Sequence, residues 1–406
     1  MDNVLINKPE YFKEATIERL QKEFNFSQRR HIEMLMLDFE ILAQLESIVN
    51  KFILKGGAAA QIYLPVEKQR ASRDIDIATT LSKEEIEIVL EKIKVRFEAH
   101  IINNEHFKWQ HIPLSKESTK RIEEFNRYEI TIPTKFGISL GRKAASNLRI
   151  DIIHYEKLPF VVNTINTPTI FKLPLKPFQI ISRGSLIADK ILTLADNTVG
   201  ILAIKQGDYQ SYLKQVYDLI HLTNQDLSDI EVLGDTIITL GRLTPIEVSY
   251  RKLSKRTEEI LKDIINSLGK RRYFDLDTGN EAKALRNAII DFQGEYLNKS
   301  EWVISQVWAT RISKLRFITG LVLLHIEKKI KLEEISKALK QLSEAEAKIV
   351  SLKGDEIKKM QEKLSAYFRG EGKIAKQMKH TMPIRIFYGI ITKENLEEII
   401  KNIEKC

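Results

Sequence analysis

KFILKGGAAAQIYLPVEKQRASRDIDIA, residues 51–78, is the stretch on which the reading of this chain turns. Lys51–Leu54 is short and apolar and stops at Gly56–Gly57, the pattern of a buried strand ending in a tight turn. Ala58–Leu64 reads as a short helix closed by Pro65, and Glu67–Ser72 as a polar loop. Asp74-Ile75-Asp76-Ile77-Ala78 alternates polar and apolar residues, so a second strand is expected. Residues i and i+2 of a strand share a face, which sets Asp74 and Asp76 side by side, opposite Ile75 and Ile77. Two adjacent carboxylates repel unless a cation sits between them. Glycines at a turn that opens a helix let the backbone approach an anion, and the helix N-terminal N–H groups favour phosphate. Lys55 and Arg73 add positive charge beside these two features.

Before this stretch, Ile32, Leu35, Phe39, Leu42, Leu45 and Val49 recur at steps of three and four, so residues 10–50 read as helices. After it, Thr80–Arg96 is a strong helical pattern whose SKEE run at Ser82 resembles a capping box. Residues 97–135 read as strands and loops, with Tyr128, Ile130 and Ile132 alternating. Arg149–His154 is a further alternating strand that puts Asp151 opposite the apolar face. If it neighbours residues 74–78, three carboxylates converge. Hard oxygen ligands with open positions suit Mg²⁺ or Mn²⁺. Such a site can polarise the α-phosphate of a nucleotide and lower the pKa of an attacking hydroxyl. His154 lies three residues beyond Asp151, so it faces the opposite side and reads as structural. From Ser185 onward the chain is almost entirely helical, with a break near Leu227–Leu233. The expectation is an α+β domain over residues 1–225 followed by a helical domain over 226–406.

A lone D-x-D recurs by chance and is equally an edge strand with solvated acids. The ordered set of strand, Gly-Gly, helix, D-x-D strand and later Asp strand is far rarer. LKGGAAAQIYL followed by RASRDIDIA resembles the opening of the AbiEii/AbiGii-type nucleotidyltransferases of the DNA polymerase β-like superfamily. The matching residues are Leu54–Gly57 with Arg70, Ser72, Asp74 and Asp76. That family often has Thr after the glycines, where this chain has Ala58. LIADKILTLADN resembles the family's lysine helix, which implies that Lys190 contacts a nucleoside triphosphate. QVYDLIHL resembles its later Asp motif, which makes Asp218 an active-site partner, although Lys214 and Gln215 stand where the family commonly has an Arg. The resemblance spans about residues 50–222.

It implies a minimal nucleotidyltransferase domain with a short mixed sheet. Asp74, Asp76 and Asp151 would be metal ligands and catalytic residues, with Lys190 and Asp218. Lys55, Gly56, Gly57, Ser72, Arg73 and Lys190 would bind the nucleotide. It further implies an NTP substrate, RNA (particularly the tRNA 3′ end) as acceptor, and a toxin paired with an antitoxin or a phage-defence partner. Transfer to a protein or a small molecule is the other enzymatic reading. A nucleotide- or RNA-binding module without turnover is the reading from a different class.

Bulk composition agrees. The 406 residues carry a net charge of +9, which favours a polyanionic partner. The one cysteine, Cys406, allows no disulfide framework within the chain, as expected for a cytoplasmic protein. The N-terminus has no apolar run of signal-peptide length, and Phe317–Ile326 is too short to span a bilayer. No HExxH, GxSxG or Walker A pattern occurs, so zinc protease, serine hydrolase and P-loop readings lack support. Two basic stretches invite a polyanion: one holds Arg251, Lys252, Lys255, Arg256, Lys270, Arg271 and Arg272, the other Arg369, Lys373, Lys376, Lys379 and Arg385 near Tyr367, Phe368 and Tyr388. Each is equally a solvated helix face over a core. Trp302, Trp308 and Phe317 are expected to pack in the core.

Overall fold

The computed structural model describes residues 5–72, 74–98, 101–102, 105–106, 108–112, 125–132, 146–201, 207–224, 227–367 and 373–404. Arg73, Arg369 and Cys406 lie outside these residues, as does Phe368. The chain divides into two compact units, residues 1–186 with 293–302, and residues 187–292 with 303–406.

The first unit is built on a mixed sheet. Its strands are β1 (Phe52–Lys55), β2 (Asp74–Thr79), the short pair β3 (Ile101–Ile102) and β4 (Glu105–His106), β5 (Lys108–Ile112), β6 (Phe125–Ile132), β7 (Ser146–His154), β8 (Val162–Ile165), the short pair β9 (Thr169–Ile170) and β10 (Leu173–Pro174), and β11 (Phe178–Ile181). Seven of them form one sheet in the order β5-β6-β7-β2-β1-β11-β8. The β7/β2 and β1/β11 pairs are parallel and the others antiparallel. The α+β class with a mixed sheet, expected from the sequence, is what the chain adopts. Residues 74–78 do neighbour the Asp151 strand, and in phase: Asp76 is the direct partner of Asp151, and Ile75 and Ile77 are those of Ile150 and Ile152. These four isoleucines are fully buried, so a one-residue slip would turn them toward the carboxylate face.

Helices α1 (Glu14–Glu23), α2 (Arg29–Ile48), α3 (Gly56–Tyr63) and α4 (Lys83–Glu98) belong to this unit. The capping box of α4 forms as its sequence suggests. The Ser82 N–H donates to Glu85 at 2.7 Å, and the Glu85 N–H donates to Ser82 Oγ at 3.3 Å. Helix α2 is buried on every side from His31 to Leu45, including Glu33, Asp38, Glu40 and Gln44. It packs against β1, β7 and β11 as well as α1 and α4, which leaves no solvated face for its polar residues. The Glu67–Ser72 loop is polar in sequence, yet Gln69, Arg70 and Ser72 are buried. Residues 293–302 return to this unit and secure it. Ala71 N–H donates to the Tyr296 carbonyl at 2.9 Å, and Asn298 Nδ2 donates to the Glu67 carbonyl at 2.8 Å. His31 stacks on Tyr296 and donates to the Glu295 carbonyl, and Lys68 pairs with Glu301.

Glu46, in the last turn of α2, gives the fold a pH dependence. Burial pushes its carboxyl up to about 7, against a hydrogen bond from the Gln179 backbone. The native state therefore holds a proton that the unfolded chain releases near 4.5. The linked stability is full below that value and is lost as pH rises to about 7. After a discount for partial exposure it amounts to about 1 kcal/mol. Thermal melts from pH 4.5 to 8 should fall less steeply for Glu46→Gln than for the wild type.

The second unit is helical: the end of α5 (Arg183–Leu192), then α6 (Tyr209–Asn224), α7 (Ile230–Tyr250), α8 (Thr257–Arg271), α9 (Asn280–Tyr296), whose last turn lies in the first unit, α10 (Ser305–Ile326), α11 (Leu332–Ser351), α12 (Asp355–Ser365), α13 (Lys373–Met378), α14 (Pro383–Ile390) and α15 (Leu396–Glu404). Trp308 and Phe317 are core residues as expected, and Trp308 packs edge-on against Phe292 with ring centroids 5.6 Å apart. Trp302 is not: its relative exposure is 45%. The basic stretches divide. Lys255, Arg256, Lys270, Lys376 and Lys379 are exposed. Arg271 is buried against Asp196 at 2.6 Å, and Arg385 is fully buried with its guanidinium on Asp275, Ser313 and the Arg272 carbonyl. Tyr388 is buried too, with its hydroxyl on Glu346. Internal acids claim these two arginines, so they offer no charge to a polyanion. Among the described residues no helix is long and apolar enough to cross a membrane.

Candidate active site

Strand register builds a charged row across the sheet. Lys55 of β1 is opposite Asp76 of β2, Asp76 is opposite Asp151 of β7, and Asp151 is opposite Arg127 of β6. Directly opposed residues point to the same face, and so do their i+2 neighbours. Asp74 and Arg149, also opposite each other, therefore join the same face. The side chains of Asp74 and Arg149 are 41% and 40% exposed and lie 3.8 Å apart. Lys55 is buried, with its ammonium 5.4 Å from the Phe160 ring centre.

Asp151 is differently placed from the other two acids. Arg127 holds both its oxygens, with Nε to Oδ1 and Nη2 to Oδ2, each at 2.7 Å. Burial raises the Asp151 carboxyl above its ordinary range, opposed by the hydrogen bonds and charge of Arg127. The fork-on-fork geometry sets two parallel charge-assisted hydrogen bonds between the two side chains. Sequence reasoning passed over Arg127, although the signal was present: it precedes Tyr128 in the alternating run and so lies on the face opposite that core residue.

The Gly-Gly turn meets Asp76 directly. Gly56 has φ +70°, and a Cβ there would lie 1.8 Å from Asp76 Oδ2. The turn opens α3, whose first residues are the two glycines. A Cβ on Gly57 would lie 3.1 Å from Arg70 Nη2 and 3.2 Å from Ser72 Oγ. The buried loop thus runs past the start of α3, with the Arg70 N–H donating to Gln61 Oε1 at 2.6 Å and Ser72 Oγ donating to the Asp74 carbonyl at 3.3 Å. His154, as expected, is structural, with Nδ1 donating to the Leu81 carbonyl at 2.6 Å.

Among the described residues no three His, Cys, Asp or Glu side chains stand close enough to hold a metal ion. The donor set still fits a magnesium-like cation, because such ions commonly take one or two carboxylates and complete their shell with substrate phosphates and water. Asp74 and Asp76 are two such carboxylates.

In the second unit, Lys190 of α5 and Asp218 of α6 form a buried ion pair at 2.7 Å, with side-chain exposures of 3% and 0%. Lys190 also donates to Gln215 at 3.2 Å. Gln215, which stands near the family's usual Arg, is thus part of the pair's surroundings.

The profile of the AbiEii nucleotidyl transferase toxin, type IV toxin–antitoxin system, matches residues 40–296. The chain belongs to the AbiEii nucleotidyltransferase toxin family. This AbiEii chain is therefore a nucleotidyltransferase of toxin type, and the match extends beyond the motifs to the segment that returns at Gln293. No curated protein matches it. Among solved structures it is similar to MenT4, a nucleotidyltransferase toxin of Mycobacterium tuberculosis H37Rv, at 12% identity and a TM-score of 0.40, covering 76% of this chain and 98% of that one. A crystal structure described as a nucleotidyltransferase from H. pylori aligns at 14% identity and a TM-score of 0.36, over 74% and 97% of the two chains.

Proposed function

We propose that this AbiEii chain transfers a nucleoside monophosphate from an NTP to RNA, with the tRNA 3′ end as the acceptor to test first. We further propose that it is the toxin of a toxin–antitoxin or phage-defence pair acting in the cytoplasm, held in check by a cognate antitoxin. One observation carries the chemistry: the Gly56 backbone lies against the Asp76 carboxylate, so the Gly-Gly turn and the carboxylate pair meet at one end of the adjacent central strands β1 and β2. Asp74 and Asp76 would hold Mg²⁺ or Mn²⁺. Such an ion neutralises phosphate charge and eases deprotonation of the acceptor hydroxyl.

The remaining roles fall to the chain's own groups. The N–H groups of Gly56 and Gly57 at the start of α3, with Lys55, Ser72 and Arg73, hold the triphosphate. Asp151 completes the acidic face, and Arg127 fixes its orientation. The family's lysine-helix motif assigns a nucleotide contact to Lys190, whose ammonium pairs with Asp218. The exposed lysines support RNA as acceptor, and the burial of Arg271 and Arg385 limits that support to fewer charges.

The test is transfer of label from each of four α-³²P-NTPs onto total tRNA, with and without Mg²⁺, for the wild type and Asp76→Ala. Label on tRNA that needs Mg²⁺ and disappears in the variant is the expected result. Label that appears only on protein in a cell extract would replace RNA with a protein acceptor. Label that persists in Asp76→Ala would overturn the assignment of the site.

A further inference from the structure

Helix α3 reads GGAAAQIY, and its one amide side chain, Gln61, is fully buried. That amide makes two hydrogen bonds, and they reach different segments of the chain. Gln61 Nε2 donates to the Gly57 carbonyl at 2.9 Å, and Gln61 Oε1 accepts from the Arg70 N–H at 2.6 Å. Gly57 belongs to the Gly-Gly turn, and Arg70 belongs to the segment that leads through Ser72 to Asp74. A single side chain thus joins two parts of the proposed triphosphate site. The peptide that carries the Gly57 carbonyl also carries the Ala58 N–H, and in a trans peptide the two point in opposite directions. A bond that fixes this carbonyl therefore fixes that N–H toward the start of α3. Ala58 has no side-chain hydroxyl, so the backbone N–H is what this position can offer to a phosphate.

A second amide braces the other end of the helix. Gln69, also buried, donates from Nε2 to the Gln61 carbonyl at 2.9 Å and to the Leu64 carbonyl at 3.4 Å, where a helix end leaves carbonyls without partners. Its Oε1 accepts from the Phe171 N–H at 3.0 Å. Phe171 and Lys172 join β9 to β10 with φ of +49° and +62°, a left-handed pair that Asn and Gly usually supply. A bulky residue in this conformation is an outlier. The buried Phe171 ring is held against Phe24 and Phe26, with ring centroids 5.6 and 5.4 Å away. The hairpin thus carries backbone strain at the point that delivers an N–H to the amide chain.

We propose that Gln61 is a positioning residue for triphosphate binding, holding the Gly-Gly turn and the Arg70–Asp74 segment at the spacing the phosphates require, with Gln69 as its brace. This rests on the proposed role of the Gly-Gly turn. An apolar side chain would fill the same space in α3 without the cost of burying an amide, so the amide serves the two segments it joins and not the packing of the helix.

The test compares Gln61→Met, which removes both donor and acceptor, with Gln61→Glu, whose carboxyl, kept protonated by burial, restores both. The Kd of each of the four NTPs with Mg²⁺ is measured by isothermal titration calorimetry on the full-length protein, and kcat by label transfer at saturating NTP. At pH 6, Gln61→Met should raise the Kd of the preferred NTP roughly tenfold, the scale of one hydrogen bond to a charged group. Its kcat should fall by less than about threefold, the pattern of lost ground-state binding. Gln61→Glu should bind like the wild type at pH 6, and its Kd should rise relative to the wild type toward pH 9, as the ionised carboxyl faces the Gly57 carbonyl. Wild-type affinity in Gln61→Met would overturn the proposal, as would an equal loss in both variants at pH 6. If Gln61→Met does not fold, Gln61→Glu decides alone, and a Kd ratio to the wild type that stays constant with pH would overturn the proposal. Gly56→Ala separates the two levels of inference. If it binds NTP like the wild type, the Gly-Gly turn is not the phosphate site and the reading of the turn fails. If it loses affinity while Gln61→Met does not, the role of Gln61 alone fails.

Discussion

Gly56→Ala is expected to reduce nucleotidyl transfer by about a hundredfold or more, the loss that a 1 Å misplacement of a reacting group can cause. Two independent features of this position argue for it. The φ of +70° is a left-handed conformation that an L-residue adopts at a cost of about 1–2 kcal/mol. The added methyl would also lie 1.8 Å from Asp76 Oδ2 and 2.5 Å from its Cγ. The backbone strain can be absorbed by the fold, but the overlap cannot, so either the Asp76 carboxylate rotates away or the turn moves. Both outcomes separate the phosphate-binding turn from the carboxylate pair. Gly57→Ala is the internal control. Its methyl meets only the ends of Arg70 and Ser72, at 3.1 and 3.2 Å, and its φ is unstrained. That variant should keep most of the activity. The comparison is made on initial rates of label transfer, with circular dichroism melts to confirm that both variants fold. Equal rates for the two alanine variants would refute the argument.

The same residues show how far the sequence could be read. The face of Asp74, Asp76 and Asp151 was legible because strand alternation is a strict period of two, and the apolar partners Ile75, Ile77, Ile150 and Ile152 fix the phase. The start of α4 was legible because its capping box is a local motif whose bonds lie within four residues. What was not legible depends on contacts distant in sequence. The loop at Gln69 and Arg70 is polar in composition, and its burial follows from α3 and the returning segment at Tyr296, more than two hundred residues away. Asp38 and Glu40 are both acids in one apolar helix, yet only the three-dimensional surroundings separate the satisfied acid from the unpartnered one. Arg271 and Arg385 count as positive charge in any composition, and only the fold reveals that Asp196 and Asp275 already neutralise them.

Asp218→Ala is expected to destabilise the second unit by about 3–5 kcal/mol, the range for removing one partner of a buried ion pair. The pair is closed from solvent, with side-chain exposures of 3% for Lys190 and 0% for Asp218 at 2.7 Å. After truncation Gln215, at 3.2 Å, supplies only a neutral acceptor for the stranded ammonium. A loss of activity in this variant would therefore say nothing about catalysis by itself. The double replacement Lys190→Met with Asp218→Leu resolves the ambiguity. Two apolar side chains of similar volume often restore or exceed the stability of a buried pair, because the desolvation cost of both charges disappears. The double variant should therefore melt near the wild-type temperature. If Lys190 contacts the nucleotide, that stable protein will still transfer no label. If instead activity returns with stability, the pair is a piece of internal scaffolding, and the nucleotide contact must be sought elsewhere in the chain.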